Sequence, residues 1–253
     1  KMQDYILEVC VDSVESALAA KRGGATRLEL CANLVIGGTT PGYTLFEQVK
    51  KETDLPVRVL IRPRFGDFLY THYEYQQMLA DICHFSQAGA DGVVIGSLNT
   101  DGTLNEAQIG GMVKAAGNIG ITLHRAFDVC ADPIAALEKA AGMGVDTILT
   151  SGQEADCLLG SKLIRHLMQV SADMPKMENI SGKPVILVGG GVKSSNIAEI
   201  VKATDAYAFH MSGKKLCSSG MQYRNERVHM GLEGISEFEI YRTDEEEIYR
   251  TVE

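Results

Sequence analysis

Eight apolar, β-rich runs are spaced along the chain, at residues 5–11, 25–31, 57–64, 91–98, 119–128, 146–152, 184–191 and 206–213. Several are apolar almost throughout, the pattern of parallel strands covered on both faces. Between them the period changes to that of helices. Val14, Ala17 and Leu18 form one apolar face behind a cap at Asp12 or Ser13, with Glu15 in the first turn. Asp132 and Pro133 suit the N-cap and first position of a second helix, and Leu163, Leu167 and Val170 supply the stripe of a third. Gly24, Gly89 and Gly144 each stand just before a strand run, where glycine takes the left-handed turn that ends a helix. The acidic stretch at residues 244–247 reads as a solvated helix or tail, and the segment from about 232 as packed on the body or tail-like.

Alternating β and α elements call for a parallel sheet. Eight such units point to a closed (β/α)8, or TIM, barrel occupying residues 1–253 as one domain. The length of 253 residues fits the roughly 250 typical of that fold. No G-x-G-x-x-G follows the first run, which argues against a dinucleotide-binding sheet.

Charge and composition narrow the partners. A formal net charge of −9 argues against nucleic acid and anionic membrane. No apolar run reaches the roughly 18 residues of a membrane span. Residues 1–4 lead straight into a strand without a signal-peptide core, so a cytoplasmic location is expected. The six cysteines contain no C-x-x-C pair and read as free thiols of a reducing compartment, with Cys83, Cys130 and Cys157 inert and Cys217 in a loop after the eighth strand.

In this fold chemistry lies at the C-terminal strand ends. The first two runs close alike, on Glu8-Val9-Cys10 and Glu29-Leu30-Cys31. Side chains alternate along a strand, and a carboxylate does not belong in the apolar layer under the helices, so all four polar side chains are expected to face the barrel axis. Neighbouring strands lie about 4.8 Å apart, so Cys10 and Cys31 could form a soft-metal site unless barrel stagger offsets them by one layer; the alternative is two small thiols filling the barrel. Arg62 and Arg64 suit an anion clamp, or a structural network neutralised by Glu8, Glu29 and Asp67. His124, beside Arg125 and Asp128, is a candidate general acid or base or a metal ligand, and otherwise a hydrogen-bonded core histidine. Ser151, Gly190, Gly191, His210 and Ser212 lie where such barrels place a phosphate, although the glycines could simply allow a tight turn. His72, His84, His166 and His229 fall on loops or helices and read as ordinary.

These motifs resemble the CutC family of copper homeostasis proteins. The likeness lies in the two strand-end motifs, in Gly37-Gly38-Thr39-Thr40-Pro41, in Ile61-Arg62-Pro63-Arg64 and Gly66-Asp67-Phe68-Leu69-Tyr70, in His124-Arg125-Ala126-Phe127-Asp128 and Leu149-Thr150-Ser151-Gly152, and in Met221-Gln222-Tyr223-Arg224-Asn225. The resemblance implies a cytoplasmic TIM barrel, a homodimer or homotetramer, and a role in copper tolerance or trafficking. It also implies Cu(I) bound by Cys10 and Cys31. This chain has Phe65 where the family usually has glycine, which would narrow the mouth, and Asn99 where it often has an acidic residue.

Copper does not account for Arg62, Arg64 and Arg125, because cations repel a metal ion. A second reading is therefore kept: a lyase, isomerase or hydrolase acting on a small phosphorylated or carboxylated molecule. In it Arg62 and Arg64 clamp the anion, while His124 and Glu29, with Glu8 and Asp128 beside them, move protons. A third reading is a scaffold whose polar mouth is only structural.

Overall fold

A computed structural model describes residues 5–175, 183–225, 227–232 and 234–253; the chain start at residues 1–4 lies outside them. Eight parallel strands close into a barrel in sequence order: β1 (Ile6–Val11), β2 (Arg27–Leu30), β3 (Val57–Leu60), β4 (Gly92–Ile95), β5 (Gly120–Leu123), β6 (Thr147–Thr150), β7 (Val185–Val188) and β8 (Ala208–Met211). The helices α1 (Val14–Gly23), α2 (Tyr43–Thr53), α3 (His72–Gln87), α4 (Glu106–Ala116), α5 (Pro133–Met143), α6 (Ser161–Asp173) and α7 (Ile197–Thr204) alternate with them. The expected (β/α)8 barrel is what forms.

Local chemistry sets the boundaries. Ser13, not Asp12, caps α1, its side chain accepting the Ser16 N–H, and Gly24 ends that helix in the left-handed region at φ 100°. Gly144 ends α5 the same way, again at φ 100°. At the start of α5 the Asp132 carboxylate accepts the N–H groups of Ile134 and Ala135, both at 3.0 Å. An Asp132→Ala variant is expected to lose about 1 kcal/mol of stability in urea unfolding.

The strands are shorter than the apolar runs. The third run was expected to reach residue 64 and the fifth residue 128, yet their ladders end at Leu60 and Leu123. His124 instead caps a short 3-10 turn, Arg125–Val129. Arg62, Arg64, Arg125, Asp128 and Ser151 therefore stand on loops above the barrel rather than on strands.

The C-terminal segment is not a tail. Cys217 lies in β9 (Lys214–Ser218), which pairs antiparallel with β10 (Glu239–Thr243), rather than in a loop. The acidic stretch opens α8 (Glu245–Val252), which packs on α1 in the position of the eighth helix. Ile248 is fully buried there, and a Cβ on Gly23 would lie 2.6 Å from the Ile248 Cβ, so α1 needs glycine at that contact.

The helix-facing side chains form the main core. The barrel interior is mixed. Cys10, Cys31, Leu60 and Val94 form one apolar cluster and Leu149, Leu187 and Ala208 another. Polar side chains fill the remainder. Arg58 stands level with Gly92, and Gly92 with Gly120. The arginine lies across these two bare positions and donates to Thr122 and Asp146, each at 2.7 Å.

Candidate functional site

β1, β2 and β8 bring Glu8, Cys10, Glu29, Cys31 and His210 together inside the barrel. Glu8 is level with Arg27 on one side and His210 on the other. Its carboxylate accepts from Arg27 Nε and, at 2.8 Å, pairs with His210 Nδ1. Burial alone would raise the Glu8 pKa, but the His210 hydrogen bond and then the Arg27 charge outweigh it and bring it to about 2. Glu29 goes the other way. Burial, with Glu8 adding to it and His210 opposing, pushes it up to about 7. Ligand atoms of Glu8, Glu29 and His210 lie within 4.8 Å of one another. Two neighbouring buried carboxylates are thus driven apart in acidity, one ionised and one holding its proton near neutrality.

The strand stagger separates the cysteines by one level: Cys10 stands beside Glu29, and the Cys31 amide bonds the carbonyl of Val11. Both thiols face the interior, where they share one apolar cluster with Leu60, Val94 and Leu34. Cys10 Sγ donates to the Met211 carbonyl at 3.6 Å and Cys31 Sγ to that of Val11 at 3.5 Å. Burial, then the charges of Glu29 and its neighbours, holds the Cys31 thiol well above its usual range.

Arg62 and Arg64 do not form a joint clamp. Arg62 donates to the carbonyls of Gly37, Gly38 and Gly66 and lies 5.1 Å over the Phe68 ring, tying the β2–α2 loop to the β3–α3 loop. Arg64 is spent on Glu74 at 2.6 Å, Asp67 at 3.0 Å and three loop carbonyls. Asp67 is therefore an anchor for Arg64 and the Leu69 amide. Phe65 is largely exposed and does not line the mouth cavity it was expected to narrow. Asn99 closes a turn by donating to Thr103 and Leu104.

His124 does not have the form of a proton shuttle. Its Nδ1 accepts the Ala126 N–H at 3.1 Å, which leaves the hydrogen on Nε2. Burial, and then the Arg62 charge, lowers its pKa to about 3, so the ring stays neutral. A Cβ on Gly96 would collide with this ring, so the bare residue just after β4 makes its room. Three buried polar atoms here, Arg62 Nε, Tyr70 Oη and His124 Nε2, have no hydrogen-bond partner among the described residues. Tyr70, which the sequence did not single out, is pushed up to about 12 by burial.

Asp128 is equally committed. It accepts from Thr150, from the Ser151 amide and hydroxyl, from the Gln153 amide and from Arg125, and so fixes the exit of β6 rather than presenting a free carboxylate. Ser151 is fully buried beneath Gly190.

The remaining sequence candidates do converge. Arg125, Gly190, Gly191, His210 and Ser212 line a cavity of about 780 Å³ at the ends of β7 and β8, with Cys10 at its edge. Lys193, Lys214 and Arg250 complete its walls. Arg250 could not be found from sequence, because only the seating of α8 on α1 brings it there.

A family model described as the CutC family matches residues 5–215. The chain belongs to the CutC family. It is 42% identical to a CutC family protein of Bacteroides fragilis (strain YCH46), over 100% of this chain and 98% of that one. It is 41% identical to the human copper homeostasis protein cutC homolog, over 95% of this chain and 85% of that one. A CutC crystal structure from Streptococcus agalactiae superposes with a TM-score of 0.75 at 27% identity, covering 83% of this chain and 99% of that one. In this CutC chain no helix of the described residues is long and apolar enough to cross a membrane.

Proposed function

We propose that the chain handles Cu(I) as a copper homeostasis protein, with Cys10 and Cys31 as the ligands. The observation that carries this reading is the placement of two thiols, one on β1 and one just past the end of β2, in one buried apolar cluster. Thiolates select soft Cu(I), whereas structural zinc asks for four ligands. Burial first, and then the charge of Glu29, holds the Cys31 proton, and the electrostatic part of that hold favours a soft cation in its place. The human relative's name points the same way. This reading carries with it a cytoplasmic location, where free thiols persist, and a homodimer or homotetramer. In anaerobic Cu(I) titration against a competing chelator, Cys10→Ser and Cys31→Ser should each weaken binding at least about tenfold. Unchanged affinity and stoichiometry in both variants would overturn the assignment.

A second reading, an enzyme for a small anionic molecule, is favoured by the open cavity at the mouth and by the three buried polar atoms of Arg62, Tyr70 and His124 that have no partner among the described residues. Buried polar groups are seldom left unmatched, and in an enzyme a bound substrate is one way to match them. In this reading Glu29, with its pKa near neutrality, is the residue suited to move a proton.

A further inference from the structure

The chain carries a net charge of −9, yet four cationic side chains, Arg125, Lys193, Lys214 and Arg250, surround the cavity at the ends of β7 and β8. Its two carboxylates are already engaged. Glu247 accepts from the amide and hydroxyl of Ser194, both at 2.8 Å, and Asp244 from Lys215 at 2.9 Å. The cations are less committed. Lys193 has no ion-pair partner among the described residues. Arg125 spends Nε on Asp128 and Nη2 on Ser151, which leaves Nη1. Arg250 reaches Glu247 only at 3.7 Å.

The backbone adds donors. Gly190 and Gly191 both lie in the left-handed region, at φ 90° and 85°. A Cβ at Gly190 would also meet the Ser151 Cβ at 2.9 Å, so conformation and space both require glycine there. The N–H groups of residues 190–192 have no acceptor among the described residues. Consecutive free amides beside cations with donors to spare are the chemistry of an oxyanion cradle. A carboxylate brings two oxygens and one charge. Three amides and several cations match the three oxygens and nearly double charge of a phosphoryl group better.

We infer that this cavity binds the phosphoryl end of a small phosphorylated molecule, held by the amides of residues 190–192, Lys193, Arg125 and Arg250. The inference stands apart from copper. Only the description of that molecule as a substrate rests on the enzyme reading. His210 and Cys10 line the same cavity, so the rest of the molecule would extend toward the barrel axis.

Inorganic phosphate is the probe, titrated into the whole metal-free chain at constant ionic strength and followed by calorimetry. One saturable site is expected, and Lys193→Ala and Arg250→Ala should each weaken it about tenfold. Absence of saturable binding, an equal response to chloride or acetate, or unchanged affinity in both variants would overturn the inference. If a variant does not fold, acetylation of the unaltered chain gives the answer: phosphate should slow modification of Lys193 and leave Lys51 on α2 unaffected. Equal rates at the two lysines would count against the site. Absence of saturable phosphate binding in the unaltered chain, with its Cu(I) binding intact, refutes this inference alone. Phosphate binding without turnover of any phosphorylated compound refutes the enzyme reading instead.

Discussion

Replacing Arg58 with methionine is expected to cost about 3 kcal/mol of folding stability and, for a chain of this size, to lower Tm by about 6–12 °C. Arg58 lies inside the barrel, and its guanidinium joins Thr122, Asp146 and Thr147 on the far strands. Methionine replaces the aliphatic stem but supplies no donor, so Asp146 loses its only cationic partner among the described residues. The figure is at the lower end for a broken buried pair because the Asp146 side chain keeps 28% of its surface exposed. Gly120 supplies a second check. A Cβ there would come within 2.6 Å of Arg58 Nη2, so Gly120→Ala should destabilise the natural chain. In the Arg58→Met background the same change would fill the space the guanidinium left, and its cost should largely vanish. Equal costs of Gly120→Ala in the two backgrounds would show that the glycine is not there to make room for the arginine.

That arrangement shows what the sequence could and could not disclose. The eight strands were legible from apolar runs, and the helix ends from Gly24 and Gly144, because both signals are local. The strand ends were overestimated because burial continues past the ladder. Ile61 and Phe127 are fully buried but stand beyond the ladders, one on a loop and one in a 3-10 turn, so apolar character alone could not say where pairing stops. The inward placement of Glu8, Cys10, Glu29 and Cys31 followed from alternation along a strand. The stagger that sets Cys10 beside Glu29 rather than Cys31 is a property of barrel closure and leaves no local trace. Nor does a sequence show which polar groups are already spent. Asp128 is spent on the loop after β6, Arg64 on its own loop and on Glu74 of α3, and His124 on the amide of Ala126 in its own turn, and none of these pairings leaves a mark in the pattern of residue types. Lys193 and Arg250 were passed over because they are distant in the chain and line one cavity only when α8 seats on α1.

Glu29→Gln is expected to stabilise the metal-free protein by about 3 kcal/mol at pH 8 and to leave it almost unchanged at pH 4. The folded carboxyl titrates at about 7, against an ordinary value of 4.5. Between those two values the unfolded chain loses this proton while the folded chain keeps it, so stability falls as pH rises and levels off above 7. The gap corresponds to about 3 kcal/mol at roughly 1.4 kcal/mol per pH unit. Glutamine imitates the neutral carboxyl at every pH, so its advantage grows across the same window. Glu8→Gln should behave oppositely, although it removes the same charge one strand away. The Glu8 pKa falls to about 2, so its ionised form supports the fold above 4.5 and loses that support as pH drops toward 2. Glutamine at position 8 would leave Arg27 and His210 without their shared acceptor and should destabilise the protein at pH 8. Urea unfolding of the two variants at pH 4 and 8 decides the matter. If they shift stability in the same direction at pH 8, the two carboxylates do not have the opposed roles that their partners imply.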